Sequence, residues 1–356
     1  MSSTPFDFDH EALLKELGDF QQQLTRGFNN LAEIETIDVG TSPREEVYRE
    51  NKLRLFRYRP LVNNPHPVPL LIVYALVNRP YMVDLQPDRS LVRRLLESGI
   101  DVYLVDWGYP DREDRLLTLH DYLNGYLLRC VEQIGRRHSL EAINLLGICQ
   151  GGTFSLCFSA MHPQRVRNLI TMVTPVDFST EGNLLAHFMR SIDVDQLIEA
   201  YGNVPGELLN WAFLALKPFR LVSQKYVNLV EILDSREKAL NFLRMEKWIF
   251  DSPDQPGEVF REFVRQFFQE NRLMTGEAEI GGKRIDLHAL KMPILNIYAT
   301  QDHLVPPAAS LALGDCVEND DYTVAAFHGG HIGIYVSSRA QKEIPAAIAD
   351  WLRQRR

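Results

Sequence analysis

The six residues Gly-Ile-Cys-Gln-Gly-Gly, at positions 147–152, constrain this chain more than any other feature. They follow a short apolar run, residues 142–146, and precede a stretch of helix-like composition, residues 153–161. A strand, a tight glycine-flanked turn and a helix are the setting of a nucleophile elbow, whose usual sequence is Gly-x-Ser-x-Gly. Here Cys149 stands in the place of the serine.

Both the glycines and the cysteine have a physical reason to be at this turn. The nucleophile of an elbow has a strained backbone, and neighbours without a Cβ atom let the strand and the helix cross closely. The N-terminus of the following helix favours a thiolate and an oxyanion. A buried structural cysteine beside a glycine-rich turn would show the same local pattern, so the rest of the chain must decide between the two interpretations.

Apolar runs alternate with amphipathic segments on both sides of the elbow. A hairpin is predicted from residues 47–49 and 53–58, and an amphipathic helix over residues 9–35, capped by Asp9, with Leu13, Leu17, Phe20, Leu24, Phe28 and Leu31 on its apolar face. The remaining runs predict buried strands at 68–74, 101–107 and 166–173, and helices at 90–98 and 118–137. This alternation indicates a doubly wound, mostly parallel sheet.

The pattern changes after Phe178. Residues from about 180 to 285 contain no clear buried strand but many aromatic side chains at helical spacing. We interpret them as a helical cap inserted into an α/β-hydrolase fold, with the core at residues 1–178 and 289–356 and the cap at 179–288. The aromatic residues suit an apolar substrate tunnel, although packing on the sheet explains each of them equally well.

Two further strands, 293–299 and 322–327, and a closing helix, 337–354, complete the predicted sheet domain. Asp302 and His331 each follow one of these strands, as Cys149 follows its own. The elbow-type fold orders its triad as nucleophile, acid and histidine, and Cys149, Asp302 and His331 satisfy that order.

Two other histidines compete for a place in the triad. We favour His331 over His328 as the base because Gly329 and Gly330 free the backbone to turn the ring toward the site. We favour Asp302 over His303 because a carboxylate is needed to accept from the imidazole N–H.

An oxyanion hole is expected beside the elbow. One amide comes from the residue after the nucleophile, Gln150, and the other from the loop after the first buried strand, which we assign to Val77 within one residue. Arg79 in the same loop is either a structural ion-pair partner or an anion contact.

Composition limits the alternatives. A net charge of −9 and a pI near 5.6 argue against a nucleic-acid-binding role for the whole chain. The four cysteines form no CxxC pair and no cluster with histidines at zinc spacing, so we expect no metal. The N-terminus lacks the features of a signal peptide, and no apolar run approaches about 18–20 residues. We therefore expect a protein of the reducing cytoplasm, without a membrane span, where a thiol stays usable.

The residue types suggest acyl transfer. His331 would take the proton of Cys149, and the resulting thiolate would form a thioester when acylated. A thioester keeps the acyl group activated for transfer to a hydroxyl acceptor, which suits an acyltransferase better than a hydrolase if the cap excludes water.

At these residues the chain resembles the polyhydroxyalkanoate synthases, specifically the catalytic subunit of the class III, two-subunit type. The resemblance runs nearly end to end, and the length fits this class because single-subunit synthases carry a further N-terminal domain. It rests on seven segments: Leu146–Gly152, Tyr74–Tyr81, Asp106–Gly108, Thr174–Phe178, Gly202–Gly206, Gln301–Pro307 and Gly329–Gly333.

The resemblance implies polymerisation of (R)-3-hydroxyacyl-CoA, with 3-hydroxybutyryl-CoA the expected substrate, and release of CoA. CoA is then part of the substrate and a product, and no separate cofactor is expected. Cys149 would carry the acyl group and His331 would be its base. Asp302 would either orient His331 or help activate the 3-hydroxyl, and the sequence leaves both roles open.

The resemblance also implies partners. These are a second synthase subunit of the PhaE type, a homodimer or higher assembly, and the surface of cytoplasmic polymer granules. Two competing functions remain: a cysteine-dependent thioesterase or esterase with the same triad, and a non-catalytic protein of this fold that binds a partner or coats granules.

Overall fold

The computed structural model describes residues 34–216, 232–233 and 235–355, together with six single positions before them: 15, 19, 22, 25, 26 and 29. These six positions are helical and exposed, as expected for the polar face of the predicted N-terminal helix. Its predicted cap and apolar residues lie outside the described residues: Asp9, Leu13, Leu17, Phe20, Leu24, Phe28 and Leu31. Residues 34–39 are not helical, so the predicted end at residue 35 is too late.

The chain divides into two units. The smaller comprises residues 1–38 and 212–249, and the larger comprises residues 39–211 and 250–356. In the smaller unit, Arg244 Nε and Lys247 Nζ donate to the carbonyls of Asp38 and Ile37, each at 2.9 Å, and these bonds tie its two segments together.

A mostly parallel sheet of eight strands forms the centre of the larger unit, which confirms the predicted fold class. Their spatial order is β1-β2-β4-β3-β5-β6-β7-β8, and only β2 runs against the others. The strands are β1 Arg44–Glu50, β2 Leu53–Tyr58, β3 Leu70–Val73, β4 Val102–Asp106, β5 Ile143–Ile148, β6 Val166–Met172, β7 Ile294–Ala299 and β8 Tyr322–Phe327.

Helices pack against the sheet, and the described part of the segment between β6 and β7 is mostly helical. The α-helices are α1 Leu91–Glu97, α2 Leu128–His138, α3 Gln150–Met161, α4 Leu184–Arg190, α5 Val194–Tyr201, α6 Gly206–Ala215, α7 Arg236–Phe250, α8 Gly257–Phe263, α9 Arg272–Thr275, α10 Pro307–Leu311, α11 Leu313–Cys316, α12 Gly333–Val336 and α13 Ala340–Arg353. Short 3-10 helices lie at Pro80–Val83, Arg112–Leu116, Pro163–Arg165 and Leu287–Ala289, and π-helical turns at Asp121–Leu127 and Val264–Gln269.

Most predicted elements occur close to their predicted places. The β1–β2 hairpin turns at Asn51, whose φ of +50° is tolerated by asparagine. Strands β3 and β5 are buried along their whole length, which explains why they appear in the sequence as continuous apolar runs.

Three details differ from the prediction. The helix expected over residues 118–137 opens with a π-helical turn before α2. The closing helix expected at 337–354 occurs as α13, Ala340–Arg353, and a separate short helix that was not predicted, α12, precedes it. Two short hairpins also occur that the sequence did not indicate, at Asp84–Gln86 with Arg89–Ser90 and at Glu279–Ile280 with Lys283–Arg284.

Candidate active site

Cys149 lies at a strained turn between β5 and α3. Its φ of +55° and ψ of −124° place a non-glycine residue in a region that L-amino acids rarely adopt. Its backbone N–H bonds the Met172 carbonyl on β6, and its own carbonyl accepts from Gly152 in the first turn of α3. The side chain is therefore held out at the end of the strand, in the geometry of a nucleophile elbow.

Each glycine of the elbow permits a close approach that a Cβ atom would block. A Cβ on Gly151 would lie 2.2 Å from the Val73 carbonyl oxygen at the end of β3. A Cβ on Gly152 would lie 1.8 Å from Thr174 Oγ1, and one on Gly147 would lie 2.5 Å from the Gly152 Cα. The glycines therefore let β5, α3 and the ends of β3 and β6 meet around Cys149.

Asp302 and His331 meet at the same end of the sheet. His331 Nδ1 and Asp302 Oδ2 are 2.6 Å apart, and both residues are buried. The other carboxylate oxygen, Oδ1, accepts the N–H groups of Leu304 and Val305, each at 2.9 Å. Both oxygens of Asp302 are thus occupied, which fixes the carboxylate against the ring.

The His331 ring also lies close enough to Cys149 to be affected by its charge, so the three residues predicted as a triad come together at one place. Burial alone would lower the pKa of His331, but the neighbouring Asp302 and Cys149 side chains together raise it from 6.5 to about 10. His331 therefore holds its proton at neutral pH, beside Cys149.

The competing histidines occupy other places. His328 is exposed, and its Nδ1 lies 3.3 Å from Thr300 Oγ1. His303 is half-buried in the turn after Asp302. It is His331 that contacts the carboxylate.

The loop after β3 lies beside the elbow, where the sequence placed an oxyanion hole. The Gln150 side chain bonds this loop directly, because its Oε1 accepts the Leu76 N–H at 3.0 Å. The Leu76 amide is thereby used, and Val77 provides the next N–H along the loop. The Gln150 backbone N–H belongs to the first turn of α3, where helix N–H groups have no partner within the helix.

Residues 251–255 hold the far side of the same loop. Gln255 Nε2 donates to the Leu76 carbonyl at 3.1 Å, and Asn78 Nδ2 donates to Ser252 Oγ at 2.7 Å. The Tyr81 hydroxyl donates to Asp251 Oδ2 at 3.0 Å. Sequence reasoning missed these residues and the Gln150 side chain, since nothing in the sequence pairs residue 76 with residues 150 and 255.

Arg79 makes a structural ion pair. Its Nη2 donates to Asp106 Oδ2 at 2.7 Å and its Nη1 to the Gly108 carbonyl at 2.8 Å, and the residue is buried. Of the two roles that the sequence allowed, the structural ion pair is the one observed.

Two tyrosines near Cys149 were also missed. Tyr74 directly follows β3, and Tyr335 lies in α12, four residues after His331. Both are buried, and both feel the charge of Cys149. Tyr74 is part of an apolar run and Tyr335 of a short helix, and neither pattern indicates in the sequence that the phenol lies near the site.

Among the described residues, no group of histidine, cysteine, aspartate and glutamate side chains is arranged to hold a metal ion. Within the same part of the chain, no helix combines the length and apolar character needed to cross a membrane.

Known proteins match this chain over nearly its whole length. Two protein families match, one described as the alpha/beta hydrolase fold over residues 68–338, and the other as the poly-beta-hydroxybutyrate polymerase (PhaC) N-terminus over residues 10–95. The poly(3-hydroxyalkanoate) polymerase subunit PhaC of Allochromatium vinosum is 56% identical over 353 residues, which cover 99% of each chain. This chain belongs to the PhaC family.

Two further PhaC subunits also match this chain over nearly its whole length. Those of Thiocystis violacea and Synechocystis sp. are 55% and 54% identical, covering 99% and 97% of this chain and 99% and 94% of their own. These matches confirm the predicted relation to the class III type of synthase. As a member of the PhaC family, the protein is an acyltransferase that polymerises hydroxyalkanoate units.

Solved structures of low sequence identity share the fold of this PhaC chain. A putative lipase from Sulfolobus solfataricus has a TM-score of 0.57 at 16% identity, over 88% of this chain and 93% of its own. A monoacylglycerol lipase from Paleococcus ferrophilus has a TM-score of 0.51 at 15% identity, over 85% and 99%. At these identities the likeness concerns the fold alone.

Proposed function

We propose that this polymerase takes (R)-3-hydroxyacyl-CoA, with 3-hydroxybutyryl-CoA as its substrate, and builds the polymer through an acyl thioester on Cys149. The observation that carries the proposal is the 2.6 Å contact between Asp302 Oδ2 and His331 Nδ1, with the His331 ring beside a cysteine at the elbow. CoA enters as part of the substrate and leaves as a product, so the reaction needs no further cofactor.

The first step is acylation. The Cys149 thiolate attacks the thioester carbonyl, and the amides of Gln150 and Val77 stabilise the oxyanion. The bond from the carbonyl carbon to CoA sulfur breaks as the bond to Cys149 sulfur forms, and the proton held by His331 balances the departing thiolate. Since one thioester replaces another, the step is nearly isoenergetic.

The second step is transfer to a hydroxyl. His331 accepts the proton of a 3-hydroxyl group, the oxygen attacks the acyl carbon on Cys149, and the thiolate departs. We propose that Asp302 orients His331 and stabilises its charge. The support is that Oδ2 faces Nδ1 while Oδ1 is occupied by two backbone N–H groups, which leaves little freedom for direct contact with substrate.

The wider setting follows from the family. We propose that residues 179–288 act as the helical cap that keeps water from the acyl enzyme, with the sheet core at 1–178 and 289–356. The partners proposed are a second subunit of the PhaE type, a further copy of this chain, and the surface of cytoplasmic polymer granules.

The deciding experiment mixes the purified protein, with and without a candidate second subunit, with (R)-3-hydroxybutyryl-CoA. Released CoA is followed over time, and the products are weighed. High-mass polyester with an acyl adduct on Cys149 supports the proposal. CoA release with only free hydroxy acid would make the protein a thioesterase, and no release in either mixture would favour a non-catalytic role.

Cys149→Ala is the variant that isolates the nucleophile, and Cys130→Ala is its matched control. Cys130 is buried in α2 and belongs to the hydrophobic core. Polymer formation should vanish in the first variant and survive in the second. Substantial polymer from Cys149→Ala would contradict the covalent mechanism.

A further inference from the structure

The hydroxyl of Tyr335 is buried beside the catalytic residues without a hydrogen-bond partner. The residue is 1% exposed, and no described group bonds its hydroxyl oxygen. Burying a hydroxyl in this way is unfavourable, because the group loses its bonds to water and gains nothing in return. A feature that costs stability at a functional site calls for a functional reason.

The hydroxyls of two other buried tyrosines have hydrogen-bond partners. The hydroxyl of Tyr103 lies 2.8 Å from His138 Nε2, and that of Tyr126 accepts from Asn51 Nδ2 at 2.8 Å. The Tyr335 hydroxyl, unlike these two, has no partner among the described residues.

The position of Tyr335 ties it to the reaction centre. Its ring lies edge-on to that of His331, with 6.2 Å between the centroids and 82° between the planes. Its hydroxyl is close enough to Tyr74, Cys149 and Asp302 to feel the charge of each.

Tyr74 also lies near Cys149. Its carbonyl oxygen accepts from Trp107 Nε1 at 2.9 Å, and its backbone packs against Gly151, two residues after the nucleophile. Both phenols thus lie near the cysteine, Tyr74 directly after β3 and Tyr335 in α12.

Both phenols keep their protons. Burial raises the pKa of Tyr335 and that of Tyr74 well above the usual 10, and the neighbouring negative charges raise both further. Neither residue can act as a base near neutral pH. Each is a neutral O–H group, suited to donate a hydrogen bond to a neutral oxygen.

We propose that the Tyr335 hydroxyl, aided by that of Tyr74, binds the oxygen at C3 of the acyl unit carried on Cys149. The inference rests on the proposed function, since it requires an acyl group on that sulfur. The carbonyl oxygen of the unit faces the amides of Gln150 and Val77, which leaves the C3 oxygen as its other polar atom. That atom is a hydroxyl on a new unit and an ester oxygen within the chain, and both accept from a phenol.

Tyr335→Phe removes only the phenol oxygen of the side chain. Comparing two acyl-CoA substrates, one with and one without an oxygen at C3, shows whether the lost hydrogen bond was made to that oxygen. The rate of Cys149 acylation by (R)-3-hydroxybutyryl-CoA should fall about tenfold, as expected for one lost hydrogen bond. The rate with butyryl-CoA, which has no C3 oxygen, should not change. Where butyryl-CoA acylates too slowly to follow, its inhibition constant gives the same comparison.

Tyr74→Phe should show the same selectivity with a smaller effect, and Tyr103→Phe is the matched control, since its hydroxyl bonds His138. The melting temperature should stay level or rise in Tyr335→Phe, because an unsatisfied group is removed, and should fall in Tyr103→Phe. Equal loss with both substrates, or no loss, would overturn the proposal. If the unmodified protein forms no adduct on Cys149 with the hydroxy substrate, the proposed function itself fails instead.

Discussion

At the scale of single residues, the position of one proton on His331 controls the reactivity of Cys149. The pKa of this imidazole is raised to about 10 although burial acts in the opposite direction, so the nearby negative charges dominate. Asp302→Asn removes one of those charges while keeping the side-chain shape. We expect the pKa of His331 to fall and the rate of Cys149 alkylation by iodoacetamide near pH 7 to drop at least severalfold. An unchanged rate–pH profile would mean that Asp302 does not act through the ring.

The same proton makes stability depend on pH. In the unfolded chain His331 loses its proton near pH 6.5, whereas in the folded chain it keeps it up to about pH 10. The stabilisation is therefore complete below pH 6.5 and is lost as pH rises from 6.5 to about 10. Chemical unfolding of the wild type and of His331→Gln over this range should show a smaller decline for the variant. Parallel curves would contradict the shift.

At the scale of elements, the loop after β3 depends on the Gln150 side chain for its place beside the elbow. Gln150→Met keeps the length of the side chain and the backbone N–H but removes the oxygen that accepts from Leu76. We expect kcat to fall about tenfold, since the Val77 amide loses its fixed position, with little change in KM.

Gln266→Met is the control for this prediction. Its Oε1 also accepts a backbone N–H, that of Glu279, in a hairpin outside the triad. Equal losses of kcat in the two variants would show that the effect is not specific to the oxyanion loop.

A second prediction at this scale concerns the close packing of β5, α3 and the end of β6. Gly152→Ala would drive a methyl group into the Thr174 side chain and should lower the free energy of unfolding by about 1–3 kcal/mol. Gly333→Ala meets open space and should change stability little. Denaturant unfolding of both variants measures the difference, and similar midpoints would refute the packing argument.

At the scale of the whole molecule, only one of the four thiols is available for reaction. Burial raises the pKa of Cys130 far above its usual range, that of Cys157 to about 12 and that of Cys316 to about 11. Cys149 is the half-exposed one. Iodoacetamide at pH 7.5 should therefore add one label to the folded protein, on Cys149, and four after unfolding. Rapid labelling of a second site in the folded protein would contradict this picture.

The sequence was enough to predict the sheet, the elbow and the order of the triad because these depend on local patterns. Alternating apolar runs define β3 to β6, and glycines mark the turn at Cys149. It could not predict that Gln150 reaches Leu76, that Gln255 supports the same loop, or that Tyr335 turns inward. Those contacts join residues far apart in the chain, and nothing local distinguishes a glutamine or tyrosine that makes them. The apolar positions predicted at residues 13–31 and 217–231 lie outside the described residues and stay predictions.

The order of strands in the sheet has a consequence for biosynthesis. Cys149 follows a central strand, whereas His331 follows β8 at the edge, the last strand to leave the ribosome. A nascent chain therefore displays its nucleophile long before it has the base that activates it. Acyl-CoA in the cell should leave unfinished chains unmodified, so that polymer growth begins only on molecules whose final strand has joined the sheet.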